Sequence, residues 1–251
     1  MHLTFCDPGL EYSLNHILDF QSEEMSDYWR DGLFFFYPQL NRNHFDQLDL
    51  PSKQCYLQEE LAAVYRESQS LIAEKRETYQ SCWEKHRPLV EAAFSDAFDL
   101  DTKTLFNHLT ANITLNPICP RYLDQQTFDL FYRNSPQGAL GMSLHEMTHF
   151  LWFHVWNQQF QDSPAEYESP SLKWIFSEMA VVPILADERL AEINPYRDQC
   201  AYDYFYTMTV EGTSVLETME TLYRSLPMVA FMEQGYTWCL QHEPEIRRQM
   251  R

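Results

Sequence analysis

A chain of 251 residues with 45% hydrophobic and 22% charged side chains is long enough to bury a full core and too apolar to be disordered. Its 37 acidic side chains outnumber 18 basic ones, giving a formal net charge of −19 that repels phosphate backbones and anionic lipid; nucleic-acid and membrane-surface partners are therefore not expected. The six cysteines form no C-x-x-C pair, no apolar run reaches membrane-spanning length, and Met1 to Pro8 lack a basic region followed by an apolar stretch, so a cytoplasmic protein with reduced thiols and no signal peptide is expected.

Residues 1–50 read as irregular around one apolar burst, Leu33 to Tyr37, which suggests a buried strand or core plug. From Tyr56 to Arg87, Leu57, Leu61, Val64, Leu71, Ile72, Tyr79, Cys82 and Trp83 fall on one helical face. Pro88 is expected to break or kink this helix, and Leu89 to Phe98 to form a second one. Leu109–Leu115 alternates and is β-branched, and Thr127–Arg133 has a similar character, with a turn at Asn116-Pro117 between them. These two segments predict a small antiparallel sheet.

Asn134-Ser135-Pro136 is a helix start, with a capping side chain followed by proline in the first turn. That helix should reach about Trp156, with a loop from roughly Gln158 to Glu168. Ser169-Pro170 then starts another helix, which Pro183 kinks or ends, and residues 198–241 read as two or more helices interrupted near Pro227. The expected fold is α+β and mostly helical, with the small antiparallel sheet packed on the His145-bearing helix. An N-terminal helical extension, 1–104, and a core with C-terminal helices, 105–251, are expected to form one compact unit.

Leu144-His145-Glu146-Met147-Thr148-His149-Phe150 carries the chemistry. Histidines four apart project from one helix face, one turn above the other, so both imidazoles can reach one metal ion. Glu146 sits about 100° further round the helix, where it reaches a metal-held water more readily than the metal itself. The motif is short enough to arise by chance, but this copy lies in a capped helix, after two strands, on an otherwise apolar face.

A catalytic zinc needs a third protein ligand and an open position. Glu178, mid-helix in Phe176-Ser177-Glu178-Met179-Ala180, is the candidate, because small neighbours let two helices approach. His154 points away from the pair on the same helix and no glycine turns the chain there. Cys119 looks like a turn thiol, and Asp187 and Glu188 look like surface charge beyond Pro183.

The H-E-M-T-H helix followed by one bearing Ser177-Glu178-Met179-Ala180 resembles the gluzincin group of zincin metallopeptidases, the thermolysin-like arrangement, over residues 105–190. The resemblance implies a zincin-like fold, one Zn²⁺ per chain held by His145, His149 and Glu178, Glu146 as general base, and a peptide or protein substrate. It also implies a downstream tyrosine or histidine that steadies the developing oxyanion; Tyr202, Tyr204, Tyr206, Tyr223 and His242 are the candidates, and the sequence does not choose among them. The substrate would add as a strand along Thr127–Arg133 or Leu109–Leu115. Where thermolysin-like enzymes carry an aspartate that orients a metal histidine, this chain has Val182, so another carboxylate or a backbone carbonyl must serve.

Three other readings compete. A different zinc amide hydrolase, such as a deformylase with a cysteine ligand, would want a glycine beside Cys119, and there is none. A zincin scaffold acting as a non-catalytic binding or regulatory module would not need Glu146. A helical protein without metal is the third. Oligomeric state and peptide preference are not encoded legibly.

Overall fold

A computed structural model describes residues 1–22, 25, 27–160, 162–163 and 167–250, with side-chain detail at all of these except Tyr28. The described chain divides into two interleaved units, Met1–Lys85 with Phe106–Met142, and His86–Leu105 with Ser143–Arg251. The division cuts the chain at three places, inside two helices after Lys85 and Met142 and between Leu105 and Phe106. The class is α+β, mostly helical with a small sheet.

In the first unit, β1 (Leu3–Cys6), β2 (Leu109–Thr114), β3 (Arg121–Tyr122) and β4 (Thr127–Phe131) form a sheet in the order β1-β2-β4-β3. Antiparallel pairing occurs at β3–β4, as Arg121↔Phe128 and Tyr122↔Thr127. β1, β2 and β4 run parallel, with Leu3 opposite Leu109 and Ala111 opposite Phe128. The chain between β2 and β4 is long enough to return and restart in the same direction, which a tight hairpin would forbid. β2 is paired on both edges over Thr110–Asn112, so Leu109–Leu115 offers no free edge for an added peptide strand there.

The sheet register lines up Cys6, Asn112 and Asp129 across three strands. Asp129 is fully buried and accepts hydrogen bonds from the Tyr12 hydroxyl at 2.9 Å, from Asn112 Nδ2 at 3.2 Å and from His16 Nδ1 at 2.9 Å. Tyr12 and His16 stand one turn apart on α1 (Leu10–Asp19), which is why one helix face can answer one carboxylate.

The burst at Leu33–Tyr37 is neither strand nor plug. It ends α2 (Asp27–Phe36), with Leu33 and Tyr37 buried at i, i+4 spacing while Phe35 stays 78% exposed. After the short α3 (Arg42–Asp46) comes α4 (Leu50–Phe98), a single helix of 49 residues that Pro88 does not break. Proline removes one rung of the hydrogen-bond ladder, and the buried residues on both sides of it, Tyr79 and Trp83 before, Val90 and Phe94 after, keep the helix in place.

The second unit holds the last turns of α4, most of α5 (Pro136–Phe160), α6 (Leu172–Leu185), α7 (Glu188–Ile193), α8 (Asp203–Thr207), a two-stranded ribbon of β5 (Thr209–Val210) and β6 (Thr213–Ser214), α9 (Val215–Ser225) and α10 (Met228–Gln249). Ser135 starts α5, its side chain accepting from Gly138 N at 2.9 Å. Ser171 caps α6 in the same way, accepting from Trp174 N at 3.1 Å. The loop expected from Gln158 to Glu168 falls partly outside the described residues, at 161 and 164–166. Pro183 sits in the last turn of α6 without ending it, and Pro227 is the N-cap residue of α10.

Helix α6 is the centre of this unit. Every residue from Leu172 to Leu185 is buried except the half-buried Val182, the signature of a helix surrounded on all sides. Trp152 of α5 meets Phe176 of α6 edge-on at 5.0 Å and Phe231 of α10 at 5.7 Å. Gly235 lets α10 approach: a Cβ there would fall 2.5 Å from Phe176 Cζ. Among the described residues, no helix is long and apolar enough to cross a membrane.

Candidate metal centre

One turn of α5 places His145 and His149 side by side, with their Nε2 atoms 3.1 Å apart and their rings 4.8 Å apart between centroids. Glu146 is buried beside them, and ligand atoms of His145, Glu146 and His149 all lie within 4.8 Å of one another. Among the described residues this is the one group of three or more His, Cys, Asp or Glu close enough to hold a metal ion, and the triad fits a zincin motif.

The buried centre of α6 delivers Glu178 to the same two histidines. Glu178 Oε2 lies 3.5 Å from His145 Nε2, and Oε1 lies 3.3 Å from His149 Nε2. A lone carboxylate inside an apolar helix would be protonated or very costly. Burial pushes the Glu178 carboxyl up, but the charge of His149 and hydrogen bonds from both imidazoles outweigh it and hold the group well below the usual carboxylate range.

These separations test whether the residues suit a metal. Ligand bonds of about 2.0–2.2 Å in tetrahedral geometry put neighbouring donor atoms roughly 3.3–3.6 Å apart. The 3.1 Å between the two imidazole nitrogens is close to that spacing, and Glu178 faces them through separate oxygens, Oε1 at 3.3 Å from His149 and Oε2 at 3.5 Å from His145, so the carboxylate lies within ligand reach of the same point.

The orientation of His145 is fixed from behind. Its Nδ1 lies 2.9 Å from the backbone carbonyl of Cys200. A carbonyl only accepts, so Nδ1 carries a proton; in the charged ring Nε2–H can donate to Glu178, and in the neutral ring Nε2 is the nitrogen left with a lone pair toward His149 and Glu178. A backbone group therefore does what a carboxylate at position 182 would have done. No side-chain signal marks this contact, which is why residue patterns do not reveal it.

The remaining candidates lie elsewhere. His154 Nε2 faces Gln158 at 3.0 Å, and burial pushes its imidazole pKa down. Cys119 belongs to the first unit. Asp187 caps α7, accepting from Arg189 N at 2.9 Å, and Glu188 is exposed. Tyr223 packs on Phe231 at 5.5 Å and His242 on Trp238 at 4.9 Å. Tyr202 and Tyr204 stack on each other at 5.4 Å, with Tyr202 also against Trp174. Tyr206 is bonded to the turn that orients His145: its hydroxyl accepts from Ala201 N at 3.3 Å. No protein-family model, curated protein or solved structure matches the chain.

Proposed function

We propose that the chain is a zinc-dependent metallopeptidase of gluzincin type, a hydrolase of peptide or protein substrates. One observation carries the reading: Glu178, from a separate buried helix, meets the paired histidines of the H-E-x-x-H turn within ligand reach of the same point.

His145 and His149 through Nε2, and Glu178 through a carboxylate oxygen, would hold the metal. Bound zinc supplies a Lewis acid for the scissile carbonyl and a water acidified toward neutral pH. Glu146 accepts the proton of the attacking water at a carboxylate oxygen and passes it to the departing amine nitrogen. Its burial keeps bulk water from competing for that proton. The Cys200 carbonyl holds Nδ1–H of His145, so that Nε2 faces inward throughout.

Hydrolysis of a peptide library by the zinc-loaded protein tests the reading. Cleavage by wild type that falls at least ~100-fold in Glu146→Gln, with zinc content kept, supports it. Cleavage that survives in Glu146→Gln contradicts the base assignment, and zinc-loaded protein that cleaves nothing contradicts the peptidase assignment.

A further inference from the structure

The turn that orients His145 has its own anchor. Cys200 is buried, and its carbonyl receives the His145 Nδ1 proton. The backbone N–H of the next residue, Ala201, donates to the hydroxyl of Tyr206 at 3.3 Å. The Cys200–Ala201 peptide is thus held at its carbonyl by His145 and at its N–H by Tyr206. Tyr206 lies on α8, whose Phe205 is fully buried, so the phenol is carried by an anchored helix. Upstream, the Asn194 side chain accepts from Tyr196 N at 3.0 Å and fixes the entry to the turn.

We infer that Tyr206 is a positioning residue: its hydroxyl pins the Cys200–Ala201 peptide so that the Cys200 carbonyl fixes the tautomer and ring orientation of His145. The inference deepens the metallopeptidase reading and rests on it for its purpose. It gives Tyr206 a role in holding His145 from behind rather than at the developing oxyanion. Outer partners of metal histidines are worth about 10–100-fold in metal affinity.

The test compares wild type, Tyr206→Phe and Tyr223→Phe by two readouts. Ring-nitrogen NMR of the metal-free protein, at a pH where imidazoles are neutral, reads the His145 tautomer. Chelator competition reads zinc affinity. Wild type should show the Nδ1-protonated form. Tyr206→Phe should mix the two tautomers and weaken zinc binding by about 10-fold. Tyr223→Phe, which removes a phenol of the same unit that packs on Phe231, should behave as wild type, separating the turn's hydrogen bond from the general loss of a phenol. An unchanged tautomer in Tyr206→Phe overturns the inference. A tautomer that shifts in a protein whose wild type takes up no zinc supports the positioning role while overturning the metallopeptidase reading.

Discussion

Glu178 Oε1 lies 3.3 Å from His149 Nε2, and neither side chain exposes more than 2% of its surface. Two polar groups brought together this deep in an apolar helix pair must answer each other or share an ion. Replacing Glu178 by Gln keeps the shape and removes the charge. On this account zinc affinity falls by more than about 100-fold, beyond the range of outer partners, and chelator competition measures it.

Asp129 poses the same problem in the first unit and solves it without a metal. Three donors, from Tyr12, Asn112 and His16, converge on one buried carboxylate. Asp129→Ala removes the buried acceptor that all three share and should cost about 3 kcal/mol in denaturant unfolding. Zinc content of the folded variant should stay as in wild type, since none of these groups belongs to the metal cluster.

Gly235 packs closely against the site helix. Alanine adds a Cβ 2.5 Å from Phe176 Cζ, two residues from Glu178. The helix-propensity gain of about 1 kcal/mol is set against about 1–3 kcal/mol for an overpacked core. Gly235→Ala should therefore lower the thermal midpoint. An unchanged or raised midpoint would mean that the Phe176 ring moves aside freely.

Asp187 gives a pH signature away from the metal. Hydrogen bonds from the Arg189 side chain lower its carboxyl from the ordinary value of 3.8, against a smaller opposing effect of burial. The folded state therefore favours the ionised form. The resulting stability is fully present above the unfolded value and is lost as pH falls through the lower folded value. The stability difference between wild type and Asp187→Asn should be constant from neutral pH down to about 4 and shrink below it. A difference that instead grew on acidification would contradict the assignment.

The histidine pair was legible because helical periodicity alone puts positions four apart on one face, and Glu178 because a carboxylate between small residues mid-helix has few other uses. Leu33–Tyr37 was misleading since a short apolar run is compatible with either period, and burial at Leu33 and Tyr37 declares the helix only once packing is known. Pro88 misled because local cost does not decide a helix held by buried residues on both sides. Parallel pairing of β1 with β2 joins residues a hundred positions apart, and no local pattern encodes it. The Cys200 carbonyl is a backbone group, present at every residue, so its use by His145 had no sequence signature.

Zinc content by elemental analysis tests the central claim most directly, on wild type, His149→Ala, Glu178→Ala and Glu146→Gln. The account predicts about one zinc per chain in wild type and Glu146→Gln, and its loss from the other two. A wild-type protein that takes up no zinc on titration, or a Glu178→Ala variant that retains it fully, would contradict the three-ligand centre.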